Sequence, residues 1–226
     1  MTIQTRRFLF CLGALALGLV VLGIYYGGRV CADIEIASLS APNTFGAKEA
    51  RRKLAALKAA ITNEQQGYVR LSEGELNSYL AESVDRIGPM PLGWRSPKPL
   101  PPGELNLGRC RVDLLKDQLT IYNWLVFPFA GHDFKLVWAR TGEIHRQGEK
   151  WTFVTRSMRV GEVNVPPKFQ SKIQEMLGGT DTALAKEIQF LVSVPTLEIL
   201  PNELSKKAEI RLYSYPESSV VARMGH

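Results

Sequence analysis

The sequence predicts an α+β fold, in which a curved antiparallel β-meander is packed with amphipathic helices and preceded by one N-terminal transmembrane helix. An uncharged apolar run lies near the N-terminus, and helical periodicity follows it to about residue 84. From Glu104 to Gly161, apolar and polar residues alternate as they do in strands. The links between these strand-like segments are too short for parallel crossovers, so antiparallel pairing is expected.

The composition is that of a globular protein, since 45% of the 226 residues are apolar and 22% are charged. Part of the net charge of +6 comes from Arg6, Arg7 and Arg29, because residues 1–29 contain no acid. Without these three, 25 basic residues stand against 22 acidic ones. This balance lacks the dense basic footprint of nucleic-acid-binding proteins, and we expect no nucleic-acid partner.

The segment from Phe8 to Gly28 is the predicted contact with the membrane. Its 21 uncharged residues would form a helix about 30 Å long, which matches the hydrocarbon core of a bilayer. We assign residues 1–32 to an N-terminal membrane anchor and its flank, and residues 33–226 to a single extracytoplasmic domain. Arg6 and Arg7 place the N-terminus in the cytoplasm. The expected location is the bacterial inner (cytoplasmic) membrane, spanned once, with the domain in the periplasm or outside.

A cleavable signal peptide is the alternative to an anchor, because Val30, Cys31 and Ala32 offer a site for cleavage after Ala32. The apolar run exceeds the usual h-region of about 7–15 residues, which favours the uncleaved anchor. Both alternatives export the domain. Cys31 and Cys110 could then form a disulfide, although the position of Cys31 at the membrane edge favours two separate thiols.

Two amphipathic helices are predicted before the meander. One spans about residues 47–61, with a basic face that we interpret as solvated, the alternative being a membrane-surface helix. A short strand over 67–71 leads into the second helix, where Ser72 and Glu75 form a capping box. Residues 86–104 then contain six of the thirteen prolines. They indicate a plain surface connection, or alternatively a lid or a membrane-contacting loop.

Four meander strands are expected over residues 105–114, 118–127, 133–145 and 151–160. The apolar alternation changes phase near Gly108, which predicts a β-bulge that bends the sheet. A third helix should begin at Pro166 and Pro167, and a fourth at Asp181. Two short strands, over 196–200 and 208–215, close the chain.

The predicted ligand-binding residues are apolar side chains of the meander and the third helix. They line a hydrophobic groove in one interpretation and form an ordinary core in the other. These candidates are Trp124, Phe127, Phe134, Leu136, Trp138, Trp151, Phe153, Phe169 and Ile173.

Motifs of catalysis and metal binding are absent from the sequence. His132, His145 and His226 have no cysteine or carboxylate at metal-ligand spacing, and HExxH, CxxC, GxSxG and phosphate-loop patterns do not occur. Neighbouring acids such as Glu73 and Glu75 are expected at turns or helix starts, where they cap the helix or remain solvated. We therefore expect a protein that is not an enzyme and has no metal or cofactor.

Two short stretches resemble a known family. Residues 69–80 (VRLSEGELNSYL) resemble the strand and LS/T-x-x-ELN-x-x-L segment of YpmS-like proteins, and residues 158–166 (MRVGEVNVP) resemble that family's strand-to-helix junction. Those proteins are small bacterial proteins with one N-terminal membrane helix and an extracytoplasmic domain. The order of elements agrees over most of the chain, although the Pro-rich residues 86–104 depart from the pattern.

The resemblance implies a layout similar to tubular lipid-binding (TULIP-like) domains, in which a curved sheet wraps a helix and leaves a groove for acyl chains. It transfers no active-site residues, and it makes Leu76 and Asn77 determinants of the fold. The expected function is a membrane-tethered, non-catalytic binding module of the cell envelope for lipid or another apolar ligand. The alternative is an envelope assembly or scaffold protein that acts through protein–protein contacts.

Overall fold

The chain has an α+β fold whose two sheets are antiparallel throughout. The computed structural model describes residues 25–31, 36, 39–87, 106–115, 118–129, 132–148, 150–177, 190, 193–201 and 208–216. Most of the predicted anchor, the Pro-rich segment from residue 88 and the helix predicted at Asp181 lie outside the described residues. Within them, no helix is both long and apolar enough to cross a bilayer.

Three helices lie at the positions that the sequence predicts: α1 is Thr44–Thr62, α2 is Glu73–Ile87 and α3 is Pro167–Leu177. Residues 25–30 are also helical. The capping box of α2 is confirmed, because Ser72 Oγ accepts from the Glu75 N–H at 3.2 Å and Glu75 Oε2 accepts from the Ser72 N–H at 2.9 Å. The basic side chains Lys48, Arg51 and Lys58 of α1 are exposed.

The predicted meander is confirmed as a five-stranded sheet in the order β2-β3-β4-β5-β6. Its strands are β2 (Asn106–Leu115), β3 (Gln118–Phe129), β4 (His132–Gln147), β5 (Lys150–Val160) and β6 (Val163–Asn164). The bulge predicted near Gly108 is also confirmed, because the β2–β3 register shifts between Leu107 and Arg109. A second shift, which the alternation did not predict, lies between β4 and β5. Thr141 and Gly142 pair with Ser157 and Thr155, which leaves Arg156 of β5 as the extra residue.

A second sheet joins strands that are far apart in the chain. Here β1 (Tyr68–Ser72), β7 (Thr196–Pro201) and β8 (Ala208–Tyr213) take the order β1-β8-β7. The sequence predicts each of these strands, but it contains no local signal for the pairing of β1 with β8.

The five-stranded sheet has two different faces. Its inner face carries Leu125, Trp138 and Met158, which belong to one core cluster with residues of α1, α2 and the second sheet. Its outer face carries Trp124 and Val137, which form a small cluster with Leu39 from the segment before α1. In the described part of the chain, the main core therefore lies on the inner face, and the outer face has a small local apolar cover.

Glu73, at the start of α2, is buried rather than capping or solvated. It is 2% exposed, and its carboxylate accepts from the backbone N–H groups of Ser40 and Leu114, each at 3.4 Å. Glu73 therefore lies at a helix start, as expected, but it is buried rather than solvated, because the segment before α1 and the edge of β2 both converge on this helix start.

Candidate functional site

The inner face brings together part of the predicted groove. Leu136, Trp138, Trp151 and Phe153 all belong to or pack against the main core, as does Ile173 of α3. Trp138 is fully buried, whereas Trp151 and Phe153, towards the β4–β5 turn, are only partly buried. The indole N–H of Trp151 donates to the carbonyl of Val194 at 2.8 Å. The side chains of the apolar layer are thus fully buried at its centre and more exposed to solvent at the end near the β4–β5 turn.

Other candidates do not share this layer. Trp138 pairs with Asn123 on the inner face. Trp124 is the next residue after Asn123, so it lies on the outer face, where it pairs with Val137. Phe169, in the first turn of α3, is 48% exposed. The side chains of Phe127 and Phe134 lie outside the described part of the structure. The strand register, which decides these positions, could not be derived from the sequence.

A buried cation in the apolar layer is a feature that sequence reasoning missed. Arg140 is 4% exposed, and its guanidinium carbon lies 4.3 Å from the ring centre of Trp138 and 5.9 Å from that of Phe153. Such stacking on aromatic faces stabilises a cation that has lost its water. The sequence does contain a signal for this burial. The strand alternation that places Leu136 and Trp138 on the inner face also places Arg140 there.

Two neutral N–H donors lie buried beside this cation. Asn123 is 1% and Trp138 0% exposed, and the two residues are cross-strand partners. Neither Nδ2 of Asn123 nor Nε1 of Trp138 has a hydrogen-bond acceptor among the described residues. Buried donors without acceptors are rare because each costs about 1–3 kcal/mol. The centre of the inner face therefore offers donors to an acceptor that the described protein does not supply.

The outer face holds a polar depression and a cluster of positive charge. The depression encloses about 210 Å³, and its lining includes Thr120, Tyr122 and Arg159. The guanidinium groups of Arg109 and Arg111 lie 5.5 and 6.0 Å from the ring centre of Trp124. Burial, together with the charge of Arg109, lowers the pKa of Arg111. Positive charge is therefore concentrated on this face.

A groove between α1 and α2 is the third surface feature. It encloses about 490 Å³ and is lined in part by Asn43, Arg51 and Glu82. Arg51 and Glu82 form an ion pair across it, and the nearby Phe45 side chain is 77% exposed. This groove has the mixed apolar and charged character of a protein-contact surface.

The end of the predicted anchor docks on the β5–β6 turn. The N–H of Glu162 donates to the carbonyl of Arg29 at 2.9 Å, and the two side chains form an ion pair at 3.2 Å. Gly161 has φ +57°, and a Cβ there would lie 2.2 Å from the Arg29 carbonyl oxygen. The absence of a side chain at Gly161 therefore permits this close approach, which fixes residues 29–30 against the sheet.

Among the described residues, no group of three His, Cys, Asp or Glu side chains could hold a metal ion. His145 is exposed, and its Nε2 lies 3.2 Å from Glu143. The hydrogen bond from Arg156 lowers the pKa of Glu143, and the nearby His145 lowers it to a smaller extent.

The two described cysteines lie in different surroundings. Cys31 is an exposed free thiol, and Cys110 is buried in β2.

Comparison with known proteins leaves the family open. Neither a protein-family model nor a curated protein matches this chain. The resemblance to YpmS-like and TULIP-like proteins therefore stays a prediction.

Proposed function

We propose that this protein is a membrane-tethered, non-catalytic binding module of the bacterial cell envelope, and that it holds a lipid or another amphipathic ligand. The ligand would lie in the apolar layer between the inner face of the sheet and its helical cover. The anchor would span the inner membrane once and place the domain outside the cytoplasm. The bulges at Gly108 in β2 and Arg156 in β5 support a curved sheet, because each adds a local bend and twist to its strand.

The observation that carries the proposal is the group of buried donors in this layer. Nδ2 of Asn123 and Nε1 of Trp138 have no acceptor in the described protein, and the cation of Arg140 stacks on the same indole. Ligand sites are typically apolar cavities with a few placed polar groups that orient the ligand. The polar end of an amphipathic molecule, a carboxylate above all, would satisfy both donors and gain from the positive charge.

Helix α3 supplies a cover that can open. Among the described side chains of this helix, Lys168, Phe169 and Lys172 are exposed and Ile173 packs against the core. A helix with few buried apolar contacts opens locally at low free-energy cost. An acyl chain could therefore enter beside Trp151 and Phe153 without unfolding the sheet.

The test uses the full chain in uncharged detergent, a fluorescent fatty acid and its neutral methyl ester. We expect Arg140→Met to weaken binding of the acid about tenfold, because one charge-assisted hydrogen bond contributes about 1.5–3 kcal/mol. Binding of the ester should change little. Arg156→Met is the matched control, since Arg156 is exposed on the neighbouring strand β5 and is paired with Glu143. No binding of either probe by the wild-type chain, or equal losses in both variants, would contradict the proposal.

A second candidate function is that of an envelope assembly or scaffold protein. The groove between α1 and α2, with Phe45 77% exposed beside it, favours this reading. For this function we expect a protein partner to crosslink to residues of the groove, and we expect the crosslink to be lost in Phe45→Ser. The wild-type chain would then not bind the fatty-acid probes.

A further inference from the structure

The depression on the outer face of the sheet has a chemistry of its own, different from that of the apolar layer. Two rows of cross-strand partners build it. Tyr122, Ala139, Arg159 and Asn164 are successive partners across β3 to β6, and Thr120, Thr141 and Ser157 are successive partners in the neighbouring row. Ala139 and the short hydroxyl side chains leave a hollow between the longer Tyr122 and Arg159.

The groups around this hollow are predominantly hydrogen-bond donors. Arg159 contributes a guanidinium, Asn164 an amide, and Tyr122 and Ser157 hydroxyl groups. Thr120 and Thr141 bond to each other through their Oγ1 atoms at 2.9 Å, and such a pair uses only one of its two hydroxyl hydrogens. The other hydrogen is available to a ligand. Among the described residues that line the hollow, there is no carboxylate.

Charge around the hollow is positive. Arg159 lies in it, and Arg109 and Arg111 lie on the same face in β2, where Arg111 is the cross-strand partner of Tyr122 and both guanidinium groups stack over Trp124. Asp113, the partner of Thr120 in the β2–β3 register, is the nearby acid and does not line the hollow. Burial raises the pKa of Tyr122, as does the charge of Asp113, while Arg159 opposes the rise. The phenol therefore stays protonated at neutral pH and can donate.

The hollow also lies close to the predicted exit of the chain from the membrane. Arg159 and Asn164 are each within three residues of the Gly161–Glu162 turn, whose Glu162 N–H is bonded to the Arg29 carbonyl. Its volume of about 210 Å³ corresponds to about seven water molecules of liquid. This space accommodates a tetrahedral oxyanion together with part of the group that it is attached to.

We propose that the outer-face hollow around Arg159 binds a phosphate group. The hydroxyl groups, the Asn164 amide and the Arg159 guanidinium, for which the described residues supply no ion-pair partner, would surround an anion whose oxygens accept several hydrogen bonds each. The phosphate could belong to a lipid headgroup or to a soluble molecule, since both present the same oxygens. This inference does not require a ligand in the apolar layer, because the two sites lie on opposite faces of the sheet.

The experiment uses the full chain in uncharged maltoside micelles and two probes. Inorganic phosphate is titrated in one arm, and micelles doped with phosphatidylglycerol are compared with micelles doped with diacylglycerol in the other. We expect Arg159→Gln to weaken phosphate binding at least tenfold, with Arg156→Gln within twofold of the wild type. Arg156 is the matched control because it is on the same strand, exposed and paired with Glu143 at 2.6 Å.

The arms separate the sources of the phosphate. Binding of inorganic phosphate without a preference for phosphatidylglycerol supports a soluble phosphate ligand, and a preference for phosphatidylglycerol that Arg159→Gln abolishes supports a headgroup. Absence of binding in both arms, or an equal loss in Arg159→Gln and Arg156→Gln, overturns the proposal. Thr141→Val, which removes one hydroxyl and keeps the charge, should also weaken binding. An unchanged midpoint of denaturant unfolding in Arg159→Gln shows that the variant is folded.

Discussion

The side chain of Asn77 pairs with the backbone of Val112 through two hydrogen bonds. Its Nδ2 donates to the Val112 carbonyl at 2.9 Å, and its Oδ1 accepts from the Val112 N–H at 2.6 Å. Val112 lies in β2, an edge strand of the five-stranded sheet. Helix α2 thus covers this edge and satisfies backbone groups that would otherwise be open to pairing with another chain.

We expect Asn77→Ala to lower the free energy of unfolding by about 2–4 kcal/mol, because it leaves a buried N–H and a buried C=O without partners. Denaturant unfolding of the full chain, followed by tryptophan fluorescence, measures the loss. Asn63→Ala is the control, since Asn63 is exposed at the end of α1 and should change stability by at most about 0.5 kcal/mol. Similar stabilities for the two variants would show that the Asn77 pairing contributes little.

The docking of residues 29–30 on Gly161 makes a prediction about proteolysis. A Cβ at Gly161 would lie 2.2 Å from the Arg29 carbonyl oxygen, whereas one at Gly148, with φ +64°, would meet open space. Both Gly161→Ala and Gly148→Ala cost about 1–2 kcal/mol for the positive φ, but only the first displaces residues 29–30. Trypsin should therefore cut after Arg29 several-fold faster in Gly161→Ala. Equal cutting rates in the two variants would mean that the contact does not hold this segment.

Cys31 offers a test of the proposed location, because it is exposed next to the predicted anchor while Cys110 is buried. A membrane-impermeant maleimide should label the wild-type chain in spheroplasts and should not label Cys31→Ser. Inverted membrane vesicles should remain unlabelled. Labelling in inverted vesicles alone would place the domain in the cytoplasm, and a mature chain that begins at Asp33 would reveal cleavage after Ala32.

Tyr213 gives a prediction for alkaline pH. Burial raises the pKa of Tyr213, as does its hydrogen bond to Glu198 at 2.9 Å. Because the folded-state pKa is raised, the contribution of Tyr213 to the free energy of unfolding is fully present below the ordinary tyrosine pKa of about 10. It is lost as pH rises through the folded-state pKa. The free energy of unfolding of the wild type should therefore fall in this alkaline range, and that of Tyr213→Phe should fall less steeply. An unchanged slope would exclude Tyr213 as a source of the loss.

Local signals predicted much of the fold. The alternation over residues 105–160 predicted the meander strands to within a few residues, and its phase slip predicted the bulge at Gly108. The capping box at Ser72 and Glu75 predicted the start of α2. These features depend on residues close together in the chain, so their physical causes can be read from the sequence.

Long-range relationships could not be predicted in this way. The pairing of β1 with β8 joins Tyr68 to Tyr213, and no periodicity encodes such a partner. The groove prediction assigned Trp124 and Trp138 to one layer, but the register places them on opposite faces. Arg140 was overlooked because an arginine inside an apolar face is unexpected unless aromatic rings surround it.

Native mass spectrometry of the full chain released from mild detergent is the sharpest test of whether the apolar layer holds an amphipathic ligand. We expect protein with one bound lipid-sized mass, which decreases in Arg140→Met and persists in Arg156→Met. A spectrum that contains only bare protein, unchanged after incubation with long-chain fatty acid, would contradict it.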